Sequence, residues 1–176
     1  MSFVFPTPDD TMDFGRALGR VLRAGDLVLL AGPLGAGKTT LTRGIGDGLN
    51  VRGPVTSPTF VLARTHPSLA GGAPLVHVDA YRLASALELD DLDIDFARSI
   101  VVVEWGAGML DGVAESWLEV VIERPTGADE AAAPASEDDE ADEPRTVTIT
   151  GFGPRWADGE AAVDAAGADP AVGDPA

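Results

Sequence analysis

Apolar and polar residues follow two patterns along this chain, and each pattern predicts a different kind of strand. Parallel strands buried on both faces show nearly continuous apolar runs, whereas antiparallel strands with one solvated face alternate. Continuous runs lie at 26–31, 75–78 and 100–103, and alternating runs lie at 117–124 and 145–150. A further strand is predicted at 60–65. We therefore expect a sheet with a parallel centre and a C-terminal antiparallel hairpin.

Apolar stripes with helical spacing predict two helices. The first follows Thr7, a favourable N-cap residue with proline directly after it, and Gly25 ends it. The second runs from about Lys38 to Leu49 and must be stabilised by packing on the sheet, because glycine lowers helix propensity. Its glycines are Gly44, Gly46 and Gly48. A short acidic helix is predicted from about Ser85.

The segment between the first buried strand and the second helix, GPLGAGKTT, fits the pattern G-x-x-x-x-G-K-[ST]. Glycines let the backbone curl so that successive N–H groups face a polyphosphate, and the following helix directs its positive end to the same anion. In such a loop Lys38 contacts the β and γ phosphates and the Thr39 hydroxyl binds Mg²⁺. The alternative is a glycine-rich connecting turn, but Lys38 is the only lysine in 176 residues, which favours the phosphate loop.

Two carboxylates follow buried strands at the same edge of the predicted sheet. Asp79 and Glu104 come at the carboxyl ends of their strands, where open parallel sheets bind ligands. They are predicted to orient a water molecule, or Mg²⁺ and its waters. The predicted fold class is α/β: a phosphate-loop NTPase with a mostly parallel central sheet flanked by helices and a C-terminal antiparallel hairpin. One domain is expected over residues 1–156.

Several polar residues keep two interpretations. The loop Thr56–Thr59 is either a γ-phosphate sensor or a plain proline turn. His77 is either functional or a satisfied polar residue within a strand. Tyr81 and Arg82 either support the site or belong to packing and surface. The acidic cluster at 88–95 is better explained as a solvated helix face than as a metal site, because it lacks calcium-loop spacing.

The net charge of −17 is concentrated in two segments. Residues 125–144 hold eight acids and no base, and residues 157–176 hold five acids and no base. The rest of the chain carries sixteen acids against twelve bases, and the distribution argues against a broad nucleic-acid-binding face. Both segments lack the large apolar residues that would offset the cost of ordering them, so we predict a disordered hairpin insertion and a disordered tail.

The absence of cysteine excludes disulfides, thiol catalysis and zinc–thiolate sites, and it fits a cytoplasmic location. The longest apolar runs are too short to span a bilayer. The first residues lack the basic start and apolar middle of a signal peptide. No membrane partner is therefore expected.

Four motifs occur in an order that resembles a known family. GPLGAGKTT, TSPTF, HVDAYRL and VVEWG together resemble the TsaE (YjeE) family, the ATPase component of bacterial tRNA threonylcarbamoyladenosine biosynthesis. The resemblance extends from about Phe5 to Trp156, and the acidic insertion and tail depart from the family pattern. It implies a mixed sheet with helices on both sides, ATP or ADP and Mg²⁺ as cofactors, and TsaB and TsaD as partners. It also implies that tRNA is an indirect partner and that DNA is not a partner.

The resemblance further implies roles for individual residues, matched by position. Phosphates are expected along Leu34–Thr39, a switch at residues 57–60, and adenine near Asp10 and Thr11. The expected catalytic residues are Lys38, Asp79 and Glu104, with Asp79 as the Walker-B-like acid. The expected Mg²⁺ ligands are Thr39, Asp79 and Glu104. Contacts to ATP or ADP are expected at Asp10, Thr11, Gly32, Leu34, Gly35, Ala36, Gly37, Lys38, Thr39, Thr40 and Thr59.

Two other functions fit the same loop. A small-molecule kinase uses it as well, but no long lid segment or substrate-phosphate arginine cluster is visible in the sequence. The other alternative is a binding module gated by nucleotide, in which hydrolysis is incidental. No arginine finger is evident, and Arg82 is only a weak candidate. For an ATPase this predicts slow hydrolysis alone and acceleration by a partner.

Overall fold

The computed structural model describes residues 1–58, 60–83, 85, 88–89, 91–105, 114–124 and 143–157. These residues form one seven-stranded sheet with two α-helices. The strands are β1 (Ser2–Phe5), β2 (Leu27–Ala31), β3 (Ala63–His66), β4 (Leu75–Asp79), β5 (Ile100–Glu104), β6 (Trp117–Glu123) and β7 (Arg145–Phe152). The α-helices are α1 (Pro8–Val21) and α2 (Lys38–Gly48), and a 3₁₀-helix spans Ala80–Arg82.

The strands lie in the order β1-β7-β6-β2-β5-β4-β3. The four central strands β6, β2, β5 and β4 run parallel, which confirms the predicted parallel centre. The pairings of β1 with β7, β7 with β6, and β3 with β4 are antiparallel, so the predicted C-terminal hairpin is present. The whole sheet is therefore mixed, as the resemblance implies, because both of its outer parts are antiparallel.

Two strand predictions differ from the structure. The sequence pattern does not reveal β1, a four-residue edge strand that pairs with β7. The strand predicted at 60–65 begins only at Ala63. The preceding residues close a turn, since the N–H groups of Val61 and Leu62 donate to the Pro58 carbonyl at 2.9 and 3.0 Å. Leu62 adopts a φ of 63°, which ends the turn and redirects the chain into β3.

The two faces of the sheet are covered differently. Alternate residues of β2 point to opposite faces, with Val28 and Leu30 in the core that α1 and α2 cover. Leu27 and Leu29 belong to a second core on the other face. That face is covered by the segment after β4, through Leu83, Leu89, Leu92, Ile94 and Phe96. Helices α1 and α2 therefore lie on one face, and the helical backbone at residues 88–89, where Leu89 joins the second core, lies on the other. The expectation of helices on both sides concerns a segment that is only partly described.

Other predictions concern residues that are only partly described. The acidic helix predicted from Ser85 shows helical backbone at residues 88–89, and residues 84, 86, 87 and 90 lie outside the described part of the chain. Of the acidic insertion at 125–144, only Glu143 and Pro144 are described. Glu143 accepts a hydrogen bond from Arg124 at 2.7 Å and also pairs with Arg145. Glu143 is therefore part of the folded hairpin, and residues 125–142 of the predicted insertion lie outside the described residues.

The predicted start of α1 is confirmed at Thr7. Its hydroxyl accepts a hydrogen bond from the Asp10 N–H at 3.2 Å, and its own N–H donates to the Asp10 carboxylate at 2.9 Å. This reciprocal pair satisfies N–H groups that the first turn of a helix leaves free. The helix ends at Val21, earlier than the predicted Gly25, because Leu22 already has an extended backbone.

Helices α1 and α2 contact each other through their backbones. A Cβ atom added to Gly44 would lie 2.3 Å from the Met12 carbonyl oxygen, and one added to Gly48 would lie 2.3 Å from that of Arg16. Gly15 and Gly19 of α1 make the equivalent approaches to α2 at 2.6 Å. The glycines that weaken α2 thus permit the packing that stabilises it.

The amino end of β2 is closed by an ion pair. Asp26 is 4% exposed, and its two carboxylate oxygens accept hydrogen bonds from Arg155 at 2.9 and 3.1 Å. The guanidinium carbon lies 4.1 Å from the centre of the Trp156 ring. The residues after β7 are thereby joined to the start of the central strand.

None of the helices in the described ranges is long and apolar enough to cross a bilayer.

Candidate phosphate-binding site

The loop between β2 and α2 has the backbone form that the glycine pattern predicts. Gly35 and Gly37 have φ values of 72° and 102°, which residues with a Cβ atom rarely adopt. A Cβ atom on Gly32 would lie 2.3 Å from the Ile122 carbonyl oxygen of β6. Gly37 precedes α2 and provides no side-chain cap. The first N–H groups of α2 are therefore available to an anion.

Lys38 is buried at the start of α2, with 5% of its surface exposed. Its ammonium group donates to the carbonyl oxygens of Gly32 at 2.9 Å and Pro33 at 2.8 Å, and lies 3.7 Å from the centre of the Trp105 ring. Burial lowers the pKa of Lys38 below its ordinary value, and the nearby charges of Glu104 and Asp79 offset part of this effect. Within the described residues no carboxylate forms a salt bridge with it. Neutral groups thus hold the ammonium in place.

The two predicted carboxylates lie side by side at the carboxyl edge of the sheet. Asp79 and Glu104 are paired in register between β4 and β5, and they are 5% and 3% exposed. Glu104 Oε1 accepts a hydrogen bond from the Thr39 hydroxyl at 3.2 Å. Asp79 Oδ1 accepts one from the Tyr81 N–H at 3.0 Å. The structure therefore brings the first turn of α2 to Glu104 and places Asp79 on the neighbouring strand.

His77 is a site residue whose role remains open from the sequence pattern alone. Its side chain is completely buried, and Nε2 lies 2.7 Å from Glu104 Oε1. The alternation of β4 contained a signal, because a residue two positions before Asp79 lies on the same face of the sheet. Without the identity of the neighbouring strand, that signal does not reveal the contact with Glu104.

Trp105 closes the site over Lys38. It follows β5 with a φ of 63°, and its N–H donates to the Leu30 carbonyl at 3.1 Å. Its ring also packs edge-on against Tyr81, with 5.4 Å between ring centres. The sequence places Trp105 at the end of a strand, but the pairing of β5 with β2 determines that it reaches Lys38.

The other predicted nucleotide contacts occupy different environments. Leu34 is 71% exposed at the loop, whereas Ala36 and Thr40 are buried. In the first turn of α1, the Asp10 carboxylate is bonded to the Thr7 hydroxyl at 2.7 Å. Thr11 is 1% exposed, and within the described ranges neither α1 residue is hydrogen-bonded to the loop. Thr59 lies outside the described residues.

The predicted switch segment lies next to β3. Thr56 accepts a hydrogen bond from Arg64 at 3.0 Å. Phe60 is 87% exposed, with the Arg82 guanidinium 5.6 Å from its ring centre.

In the acidic stretch, Glu88, Asp91, Asp93 and Asp95 are all exposed, which confirms a solvated surface at those positions. No group of three or more His, Asp or Glu side chains in the described part of the chain is arranged to hold a metal by itself.

Comparison with known proteins identifies the family. The family model described as "Threonylcarbamoyl adenosine biosynthesis protein TsaE" matches residues 5–131. The chain belongs to the TsaE family. The predicted resemblance is thus confirmed, and the family takes part in tRNA threonylcarbamoyladenosine biosynthesis.

Individual TsaE proteins cover most of this chain. It is 55% identical to TsaE from Streptomyces coelicolor over 154 residues, which is 86% of this chain and 97% of that protein. It is 30% identical to TsaE from Bacillus subtilis, over 85% of this chain and 84% of that protein. The crystal structure of YdiB from Bacillus subtilis superposes with a TM-score of 0.68 at 26% identity, covering 94% of this chain and 93% of the other.

Proposed function

We propose that this chain binds and hydrolyses ATP with Mg²⁺, as the nucleotide-dependent component of tRNA threonylcarbamoyladenosine biosynthesis. The main support is the buried Lys38 ammonium, which neutral oxygens and an aromatic ring hold at the N-terminus of α2. A buried cation without an opposite charge in contact is costly. A bound polyphosphate supplies that charge.

The residues of the loop fit a polyphosphate. The glycine backbone leaves room for close approach, since Gly35 and Gly37 carry no Cβ atom, and the following helix end favours negative charge. Lys38 adds a donor that can move from carbonyl oxygens to phosphate oxygens, which are stronger acceptors. Binding and charge neutralisation are therefore the work of this loop.

The donor set also fits Mg²⁺. Thr39, Asp79 and Glu104 offer one hydroxyl and two carboxylates, and Mg²⁺ is usually held by one or two carboxylates together with phosphates and waters. When bound, Mg²⁺ neutralises charge on the phosphates during transfer. Two carboxylates and one hydroxyl from the protein are thus enough for this metal, because water and the nucleotide phosphates complete its coordination.

The protein residues perform the remaining tasks in hydrolysis. Lys38 neutralises developing charge, and Asp79 or Glu104 orients the attacking water. Within the described residues no arginine is hydrogen-bonded to Thr39, Asp79 or Glu104, and Arg82 packs on Phe60 instead. We therefore propose slow hydrolysis by the chain alone and acceleration by TsaB and TsaD, with tRNA acting indirectly and all partners in the cytoplasm.

The test is ATP turnover by the native chain, alone, with TsaB and TsaD, and with candidate small phosphate acceptors. We expect slow phosphate release in Mg²⁺, a faster rate with the two proteins, and none in EDTA. Lys38→Ala is expected to reduce the stimulated rate by about 100-fold or more, with a free energy of unfolding within about 1 kcal/mol of that of the native chain. Unchanged turnover in the folded variant contradicts the site.

Two outcomes would identify the alternatives. Phosphate appearing on a small acceptor indicates a kinase. Nucleotide-dependent association with TsaB and TsaD, without any turnover, indicates a binding module. Either result would replace the ATPase proposal.

A further inference from the structure

We infer that His77 is a positioning residue that fixes the Glu104 carboxylate for metal binding. The inference rests on the proposed function, since it assigns Glu104 to Mg²⁺. It is carried by the short contact between His77 Nε2 and Glu104 Oε1, 2.7 Å long and completely buried.

The direction of this hydrogen bond follows from the chemistry of the two groups. A carboxylate that binds Mg²⁺ is ionised and only accepts hydrogen bonds, so in the proposed role His77 donates from Nε2 and carries its hydrogen there. His77 Nδ1 has no partner in the described part of the chain. Glu104 is therefore the single described partner of this imidazole.

The two hydrogen bonds to Glu104 meet at the same oxygen. Oε1 accepts from both His77 and Thr39, at 2.7 and 3.2 Å. Within the described ranges no donor contacts Oε2. The arrangement fixes one oxygen of the carboxylate and leaves the other available to a ligand.

The two donors are not equivalent. Thr39 is itself an expected metal ligand. When its hydroxyl oxygen binds the metal, the hydroxyl must reorient, and its hydrogen bond to Glu104 changes. His77 is enclosed within the sheet and has no second described partner. It is thus the donor that can keep Glu104 in place whether or not the metal is bound. In metal sites generally, such hydrogen-bond partners orient the residues that bind the metal.

Two substitutions at His77 separate positioning from packing. His77→Leu removes the donor and keeps an apolar side chain, whereas His77→Gln places an amide N–H near the position of Nε2. His66→Leu is the matched control, because His66 is also a buried histidine, 4% exposed, on the neighbouring strand β3 and is not bonded to Glu104. If His77→Leu does not fold, His77→Asn replaces it, since its shorter amide does not reach Glu104.

The measurements are ADP affinity at increasing Mg²⁺ and in EDTA, kcat and KM for ATP, and the unfolding midpoint. We expect His77→Leu to raise the Mg²⁺ concentration for half-maximal ADP affinity, and to lower kcat, by about 10- to 100-fold. Its ADP affinity in EDTA should equal that of the native chain. His77→Gln should recover most of both losses, and His66→Leu should show neither.

Three results would overturn the inference. They are an unchanged Mg²⁺ dependence in the donor-less His77 variant, an equal shift in His66→Leu, and full additivity between His77→Leu and Glu104→Gln. Additivity would mean that His77 does not act through Glu104. If the native chain binds no ADP even with Mg²⁺, the proposed function fails first and takes this inference with it.

Discussion

The central strand β2 has a buried charge near each end, and the two charges are held in opposite ways. Before the strand, the Asp26 carboxylate receives two hydrogen bonds from Arg155, whose guanidinium also stacks on Trp156. After the strand, the Lys38 ammonium is held by two carbonyl oxygens and an aromatic ring. Among the residues that the structure describes, the first charge has a counter-ion in contact with it and the second does not.

This difference separates stability from binding. The pair of the buried Asp26 with Arg155, whose side chain is 21% exposed, is costly to break, because removing one partner leaves the other charge without its counter-ion. A buried cation held by neutral groups leaves its strongest partner to be supplied by a ligand. The two ends of one strand therefore predict opposite consequences for substitution.

The largest stability effect is expected at the amino end. Asp26→Ala should lower the free energy of unfolding by about 3 kcal/mol, because Arg155 loses its counter-ion. Lys38→Ala should change it by less than about 1 kcal/mol, since it breaks no ion pair. Urea denaturation measures both, with Asp91→Ala, at an exposed acid, as the control. Equal losses for Asp26→Ala and Lys38→Ala would remove the distinction between the ends.

The second prediction tests how contact with α1 holds α2, and with it Lys38, in place. Gly44→Ala should destabilise the protein by about 2 kcal/mol, because the new Cβ atom collides with the Met12 carbonyl. The same change on an exposed helix face raises stability by up to about 1 kcal/mol. ADP affinity should fall as well, since α2 begins at the proposed phosphate loop. Arg20→Ala, at an exposed position of α1, is the control; a stability gain in Gly44→Ala would exclude tight backbone contact.

The smallest effect is a pH dependence at His66, a buried histidine at the end of β3. Burial lowers the pKa of His66 below its ordinary value of 6.5, and His77 and Arg64 add to this effect against the opposing bond to Arg52. The unfolded chain thus takes up the proton first. Stability should fall as the pH drops below 6.5 and level off once the folded form is also protonated.

The measurement is the free energy of unfolding of the native chain and of His66→Gln between about pH 7.5 and pH 5. The native chain should lose more stability than the variant over this range. Parallel curves would show that His66 does not take up its proton more readily in the unfolded chain.

Local patterns in the sequence correctly predict several elements of the fold. The buried parallel strands, the glycine-rich loop between β2 and α2 and the start of α1 at Thr7 each depend on neighbouring residues, and the structure has all three. The loop also fixes the site at the carboxyl end of β2, which places Asp79 and Glu104 beside it. Such features need no knowledge of distant contacts.

Features that depend on distant pairing were missed or left open. β1 is stabilised by β7, more than 140 positions away, and four apolar or small residues before a proline do not predict that partner. The contact between His77 and Glu104 depends on the strand order. From helix propensity alone, the glycines of α2 destabilise the helix. The spacing of four residues between Gly44 and Gly48, however, recurs between Gly15 and Gly19. That repeated spacing was an available signal for close helix packing.

The glycine contact also has a mechanical consequence. Most packed helices are separated by side chains, which can change rotamer and absorb small displacements. Between α1 and α2 the carbonyl oxygens of one helix lie where glycines of the other have no side chain. There is no soft layer at these points. A displacement of the N-terminal end of α2, at the proposed phosphate site, should therefore be transmitted to α1 as movement of a stiff body.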